Sequence, residues 1–171
     1  MRLYIIRHAI AAPAEETGAE ADSQRPLTPK GRKKMVRIAR GLRELEKRLD
    51  LILTSPYLRA IQTAEILRQT YDLDPAKVIS TEHLIPMGFP DQLIEEIQTR
   101  YTEAQHIALV GHEPYLSELV SLLTTGEPHL ALTLKKGGVC RLSVDALHYE
   151  RCATLDWALF PSHLIKIGKK A

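Results

Sequence analysis

Two short, unbroken apolar runs that each stop at a histidine constrain this chain most. Leu3, Tyr4, Ile5 and Ile6 end at Arg7, His8 and Ala9, and Ile107 to Val110 end at Gly111, His112, Glu113 and Pro114. Runs without polar alternation suit strands buried on both faces, as in a parallel sheet covered by helices. Stretches of helical period lie between such runs, so right-handed crossovers and a mostly parallel sheet follow. In open sheets of that kind, ligands bind beyond the carboxyl ends of the strands. Two strands that each end in a histidine therefore predict one shared site, to which the first strand delivers Arg7 and His8. For either histidine taken alone, an ordinary polar strand end is an equal reading.

At 171 residues the chain is expected to form one domain, residues 1–171, and to bury about two thirds of its unfolded surface. Cys140 and Cys152 stand far apart without a secretory context and read as reduced thiols of a cytoplasmic protein. No apolar window has signal length after the N-terminus or approaches the roughly 20 residues of a membrane span, so no membrane is expected as a partner. The net charge of +2 is too small to imply nucleic acid. Basic residues nevertheless crowd the segment from Arg25 to Arg48, including Lys30, Arg32, Lys33, Lys34, Arg37, Arg40 and Arg43. Most of that run reads as the solvated face of a helix; the alternative is steering of an anionic partner toward the site.

Taken in order, Ile10 to Gln24 lacks a steady period and reads as a loop over the site. Thr28 followed by Pro29 is a helix start, and Met35, Ile38, Ala39, Leu42, Leu45 and Leu49 form its apolar stripe. Leu51 to Thr54 is a strand, and Ser55 with Pro56 repeats the cap-then-proline signal. The helix that follows carries Leu58, Ile61, Ala64, Ile66 and Leu67 inward and Arg59 in its first turn, where free amides and the helix dipole favour anions. Val78 to Ser80 is a weak strand, Glu82 to Gly88 a turn, and Gln92 to Tyr101 a helix. A helix with Leu116, Leu119, Val120 and Leu123 inward follows Pro114. Leu130 to Leu134, Val139 to Val144 and Thr154 to Phe160 are β-prone runs, read as antiparallel or edge additions to the sheet.

These assignments let Arg7, His8, Arg59 and His112 converge. A phosphoryl group needs cationic donors around its nonbridging oxygens and a nucleophile in line with the leaving group. Arg7 and Arg59 offer guanidinium forks, His112 a further hydrogen bond, and His8 the nucleophile, provided it is neutral with one ring nitrogen held by a hydrogen bond. Phosphate would pass to His8 and then to water. A glycine-rich phosphate loop with its lysine is missing, no cysteine lies in a phosphate loop, and the seven histidines lack metal-ligand spacing. No metal and no cofactor are expected.

Arg7 and His8 after a strand, SPYLRAIQTAE from Ser55 to Glu65, and VGHEP from Val110 to Pro114 resemble the histidine phosphatase superfamily, also called phosphoglycerate mutase-like. RPLTPKG, from Arg25 to Gly31, and LDWALFPSHL, from Leu155 to Leu164, narrow the resemblance to the short SixA-type phosphohistidine phosphatases. The resemblance implies a three-layer α/β/α sandwich with a mostly parallel sheet. It implies that His8 is the phosphorylated nucleophile and that Arg7, Arg59 and His112 form the phosphate pocket. Arg25, and Ser55 at the head of the second motif, are further substrate-binding candidates. The wider family takes its proton donor from an acidic residue near Glu82, where the alignment leaves Glu82 and His83 open by one residue.

Ala9 stands where the wider family has glycine. An imidazole leaving group, with an unperturbed pKa of about 6.5, needs less acid help than a sugar alkoxide. With no long insertion to form a lid, the chain is expected to present an open pocket suited to phosphate on a protein surface. The resulting expectation is a phosphatase that hydrolyses phosphohistidine on a partner protein, such as a phosphorelay component. The alternatives are a small-molecule phosphomonoester phosphatase or mutase on the same site, and a noncatalytic module that binds phosphorylated partners.

Overall fold

The computed structural model describes residues 1–18 and 21–169. The elements in chain order are β1 (Arg2–Arg7), α1 (Ala14–Thr17), α2 (Pro29–Leu45), β2 (Leu51–Thr54), α3 (Leu58–Tyr71) and β3 (Val78–Ser80). They continue with α4 (Pro90–Arg100), β4 (His106–Gly111), α5 (Tyr115–Thr125), β5 (Val139–Val144), β6 (Ala153–Leu159) and α6 (Pro161–Ile167). The strands form one sheet in the order β3-β2-β4-β1-β5-β6. The pairs β1–β4, β2–β4 and β2–β3 are parallel, while β5 runs antiparallel to both β1 and β6.

Alternation along β1 divides the core into two layers. Leu3 and Ile5 point toward Leu53, Leu109 and the inward residues of α4 and α5, including Leu93, Ile97, Leu116 and Leu119. Tyr4 and Ile6 point the other way, toward Ile52, Val110 and the inward residues of α2, α3 and α6, including Met35, Leu42, Leu67 and Leu164. A strand with apolar side chains on both faces must be covered twice, and helices on both sides meet that demand. The result is the expected three-layer α/β/α sandwich.

Connectivity then opens a crevice. β1 and β2 are followed by α2 and α3, which lie on one face, whereas β3 and β4 are followed by α4 and α5 on the other. Because β4 sits between β1 and β2, chains leaving neighbouring strands diverge to opposite faces at the carboxyl edge. That edge is where Arg7, His8, Gly111 and His112 stand.

Several local expectations shift by a residue or more. Thr28 does start α2, its hydroxyl accepting the Gly31 N–H at 2.8 Å, with Pro29 in the first turn. The helix ends at Leu45, which is exposed, so Leu49 reaches the core from the segment beyond. The inward face of α3 holds Ala60, Thr63, Ala64, Leu67 and Tyr71, while Ile61 faces outward. Polar anchors set that rotation: Arg59 is buried, and the Thr63 hydroxyl accepts the Ala9 N–H at 3.1 Å. Ser55 does not cap α3, whose first amides have no side-chain acceptor; its hydroxyl takes the Tyr57 N–H at 3.3 Å instead.

Leu130 to Leu134 is not a strand. Both flanks of β1 are occupied, by β4 and β5, and this segment passes the end of β1 as irregular chain. The expected loop from Ile10 to Gln24 contains α1 and a 3-10 turn at Asp22–Gln24; its residues Ala19 and Glu20 lie outside the described residues. Cys140 and Cys152 are both free thiols. Among the described residues, no helix is long and apolar enough to cross a membrane.

Candidate active site

Register brings the two histidines together. Arg7 lies opposite Gly111, so the next residues, His8 and His112, leave adjacent parallel strands at the same height. The His8 N–H donates to the Gly111 carbonyl at 3.0 Å, extending the ladder by one step. On the other side of β4 the Ser55 N–H donates to the Val110 carbonyl at 2.9 Å, which sets the entry to α3 beside His112. The imidazole centres are 5.0 Å apart, and the Arg59 Nε–H donates to His8 Nε2 at 3.3 Å. All three side chains are buried, at 6%, 2% and 5% exposure for His8, His112 and Arg59.

These groups line a hollow of about 340 Å³ together with Arg7, Asp22, Arg25, Pro86, Glu113 and Lys136. The Arg7 guanidinium is steadied by donation to the Leu134 carbonyl at 2.9 Å, a bond supplied by the segment misread as a strand. The backbone of His8 is pinned by Gly137, whose N–H bonds the carbonyls of Arg7 and His8 at 3.0 and 3.2 Å. Gly137 has φ of 78°, a left-handed conformation that favours glycine, and a Cβ there would come within 2.8 Å of Ile38.

The ring orientation of His8 is legible from its partner. Nδ1 lies 2.7 Å from the Ala9 carbonyl, which can only accept, so the proton of the neutral ring sits on Nδ1 and the lone pair on Nε2. Burial pushes the pKa of His8 down to about 4 and outweighs the opposing Ala9 bond, with help from Arg59, Arg7 and Lys136. Burial, then the neighbouring His8 and Arg59, take His112 down to about 3. Both rings are therefore neutral near pH 7. His112 Nε2 is 2.8 Å from the Ser55 hydroxyl, and the Tyr57 ring packs edge-on against it with centres 4.9 Å apart. Ser55 Oγ takes the Tyr57 N–H, and the acceptor within reach of its own O–H is His112 Nε2, an arrangement that goes with the ring proton on Nδ1.

Among the described residues, four buried side-chain polar atoms lack a hydrogen-bond partner, and three of them belong to the lining of this hollow: Arg7 Nε, His112 Nδ1 and Glu113 Oε1. Unpaired buried polar atoms are uncommon, so their clustering points to a polar ligand. Two N–H donors and a carboxyl group suit an oxyanion and a proton in transit.

Three residues that line the hollow are not among those the sequence singles out for the site. Asp22 accepts Arg59 at 2.7 Å and Arg25 at 2.6 Å through its two carboxylate oxygens, and its carbonyl accepts a second Arg59 donor at 2.6 Å. Partial burial opposes its ionisation, but the bonds from Arg59 and Arg25 hold the carboxyl below its usual range. Asp22 thus draws Arg25 to the hollow, which Arg25 also reaches by donating to the Ala12 carbonyl at 2.8 Å. The only sequence signal was its place three residues before Arg25. Glu113 lies in the turn and in the VGHEP motif, neither of which gives it a role. Half-buried, it is held above the usual carboxylate range by burial, against a bond from Ser117 and the Arg7 charge. Lys136, ahead of the Gly137–Gly138 turn, had no signal beyond its charge.

Two expected residues fall elsewhere. Glu82 is exposed and, with His83, lines a separate depression beside α4, not the hollow of His8. The 3-10 turn at Glu82–Leu84 directs Leu84, not the acid, inward. Ser55 is fully buried beneath His112, outside the lining, so it bears on a ligand only through that ring.

An α/β sandwich whose central strand ends gather two neutral imidazoles and two guanidiniums around one hollow defines a phosphoryl-transfer site of the histidine-nucleophile class. Residues 3–91 match the model of the histidine phosphatase superfamily, branch 1. The chain belongs to that superfamily and is a histidine phosphatase, a hydrolase. It is 37% identical over 152 residues to an uncharacterized protein of Picosynechococcus, spanning 88% of this chain and 89% of the relative. It is 27% identical to the phosphohistidine phosphatase SixA of Escherichia coli, spanning 96% of each. The structure of a protein histidine phosphatase SixA complexed with tungstate superposes with a TM-score of 0.81 at 25% identity, covering 96% of this chain and 99% of that one.

Proposed function

We propose that this chain hydrolyses phosphohistidine on a partner protein, such as a cytoplasmic phosphorelay component, through a phosphohistidine formed on its own His8. The observation that carries the mechanism is the state of that ring: neutral, its Nδ1–H bound to the Ala9 carbonyl, its Nε2 lone pair turned to the cationic hollow, where the long Arg59 Nε–H contact at 3.3 Å is the one bond a phosphoryl group must displace. In the first step Nε2 attacks phosphorus and the bond from phosphorus to the partner's imidazole breaks. Arg7 and Arg59 hold the nonbridging oxygens, and the Nδ1–H of His112 donates where charge builds. The departing imidazole takes the proton of the Glu113 carboxyl, whose burial raises its proton affinity, and this leaves the carboxylate for the second step. In the second step water attacks phosphorus, the P–Nε2 bond breaks, the lone pair returns to His8, and the water proton passes to the Glu113 carboxylate. Arg25, linked to Arg59 through Asp22, joins the anion's surroundings.

The support for a protein substrate is that the relatives and structures matching nearly the whole chain include the phosphohistidine phosphatase SixA and a protein histidine phosphatase SixA. The test is rapid quench with a phosphohistidine protein: a phosphoenzyme stable to base and lost in acid is expected, and none with His8→Ala. A base-labile adduct, or strong preference for sugar phosphates over the phosphoprotein, would overturn the proposal.

A further inference from the structure

The side of α2 nearest the site spends charge in a way its own stability does not explain. Lys30, Lys33, Lys34 and Arg37 follow the three-and-four spacing of one helix face, and no acidic residue occupies the first turn. Cations at a helix N-terminus oppose the dipole, and like charges at this spacing repel. No compensation comes from elsewhere: among the described residues, none of Lys30, Lys33, Lys34, Arg37, Lys135 and Lys136 forms an ion pair with a carboxylate.

The patch is continuous with the active site. A concavity of about 470 Å³ holds Lys30, Lys33, Lys34 and Arg37 beside Ile165 of α6. Lys34 also borders a second concavity, of about 530 Å³, with Arg7, Lys135, Lys136 and Phe160. Arg7 and Lys136 in turn line the hollow of His8. Cationic surface therefore runs unbroken from the nucleophile to the exposed side of α2. Phe160 offers a partly exposed ring on the way, under the Lys135 ammonium at 4.5 Å.

We infer that this strip, formed by Lys136, Lys135, Lys34, Lys33, Lys30 and Arg37, docks an acidic surface of the protein that carries the phosphohistidine. The inference rests on the reading in the preceding subsection and extends it to the partner's chemistry. A partner seated by its phosphoryl group at His8 must lay its adjoining surface on whatever borders the hollow, and on this side the border is uncompensated positive charge. Complementary charge there speeds encounter and selects among phosphoproteins. The continuity with the catalytic hollow favours a phosphoprotein over nucleic acid.

The experiment compares two phosphohistidine peptides of equal length, one flanked by aspartates and one by serines, with an aryl phosphate as control. Wild type should favour the acidic peptide in kcat/KM by about tenfold or more, and the advantage should shrink as salt rises. The triple variant Lys30→Glu, Lys33→Glu, Arg37→Glu should lose that advantage while its aryl phosphate turnover stays within about twofold of wild type. Equal turnover of both peptides by wild type would overturn the docking surface yet leave the phosphohistidine reading standing. Failure on both peptides with aryl phosphate turnover intact would overturn that reading and the docking surface with it. If the triple variant kept its peptide preference but lost retention of a single-stranded RNA, the strip would serve nucleic acid and the inference would fall.

Discussion

Acidification from about pH 7 to about pH 4.5 should remove roughly 5 kcal/mol of folding stability through His8 and His112 alone. In the unfolded chain each ring regains an ordinary pKa of about 6.5 and is almost wholly protonated at pH 4.5. In the folded protein His8, at about 4, is protonated in a minority of molecules, and His112, at about 3, in very few. The unfolded state thus binds close to one more proton per ring, so stability falls as pH drops below 6.5 and levels off only below the folded values. At about 1.36 kcal/mol per pH unit over two units, each ring accounts for about 2.5 kcal/mol. That is a large share of the 5–15 kcal/mol typical of a domain. His106, also lowered by burial, acts in the same direction. Glu113 opposes it: with its pKa raised in the fold, its contribution is present at low pH and lost as pH rises through the folded value. Asp22, Asp50 and Asp156, all lowered, lose theirs only as pH falls further. Urea unfolding followed by circular dichroism at both pH values would read the difference, in wild type and in the double variant His8→Gln, His112→Gln. The variant should lose most of the pH slope. Parallel slopes in the two proteins would refute buried, neutral imidazoles.

Two further outcomes follow from the site. Glu113→Gln should slow an alkyl phosphate, whose leaving group needs a proton, by about a hundredfold, and an aryl phosphate with a good leaving group by less than about tenfold; equal losses would reduce Glu113 to a structural role. Gly137→Ala forces a side chain into the left-handed region and against Ile38, and should lower stability by about 1–2 kcal/mol while weakening inorganic phosphate binding. An unchanged melting temperature and phosphate affinity would show that the turn does not hold the end of β1.

Elements were legible where a single physical signal dominated. β1 and β4 were readable because residues covered on both faces leave no room for polar alternation, and α2 because Thr28 and Pro29 mark its start. The rotation of α3 was not, since a buried arginine and the Thr63 bond to Ala9 outrank the apolar stripe that the eye follows. Leu130–Leu134 had the composition of a strand, but both places beside β1, whose end it passes, are taken by β4 and β5, a fact that belongs to the assembled sheet.

By itself the amino-acid order determined that two buried strands end in histidines and that Arg7 and Arg59 travel with them, because periodicity and strand termination are local matters. Only the tertiary structure decided which acids attend those groups. Asp22 is brought to Arg59 across 37 positions of chain, and Glu113 replaces Glu82 in the hollow. Which carboxyl is buried beside a cation depends on how separate segments close around the sheet edge, and burial, not residue type, then moves its proton affinity.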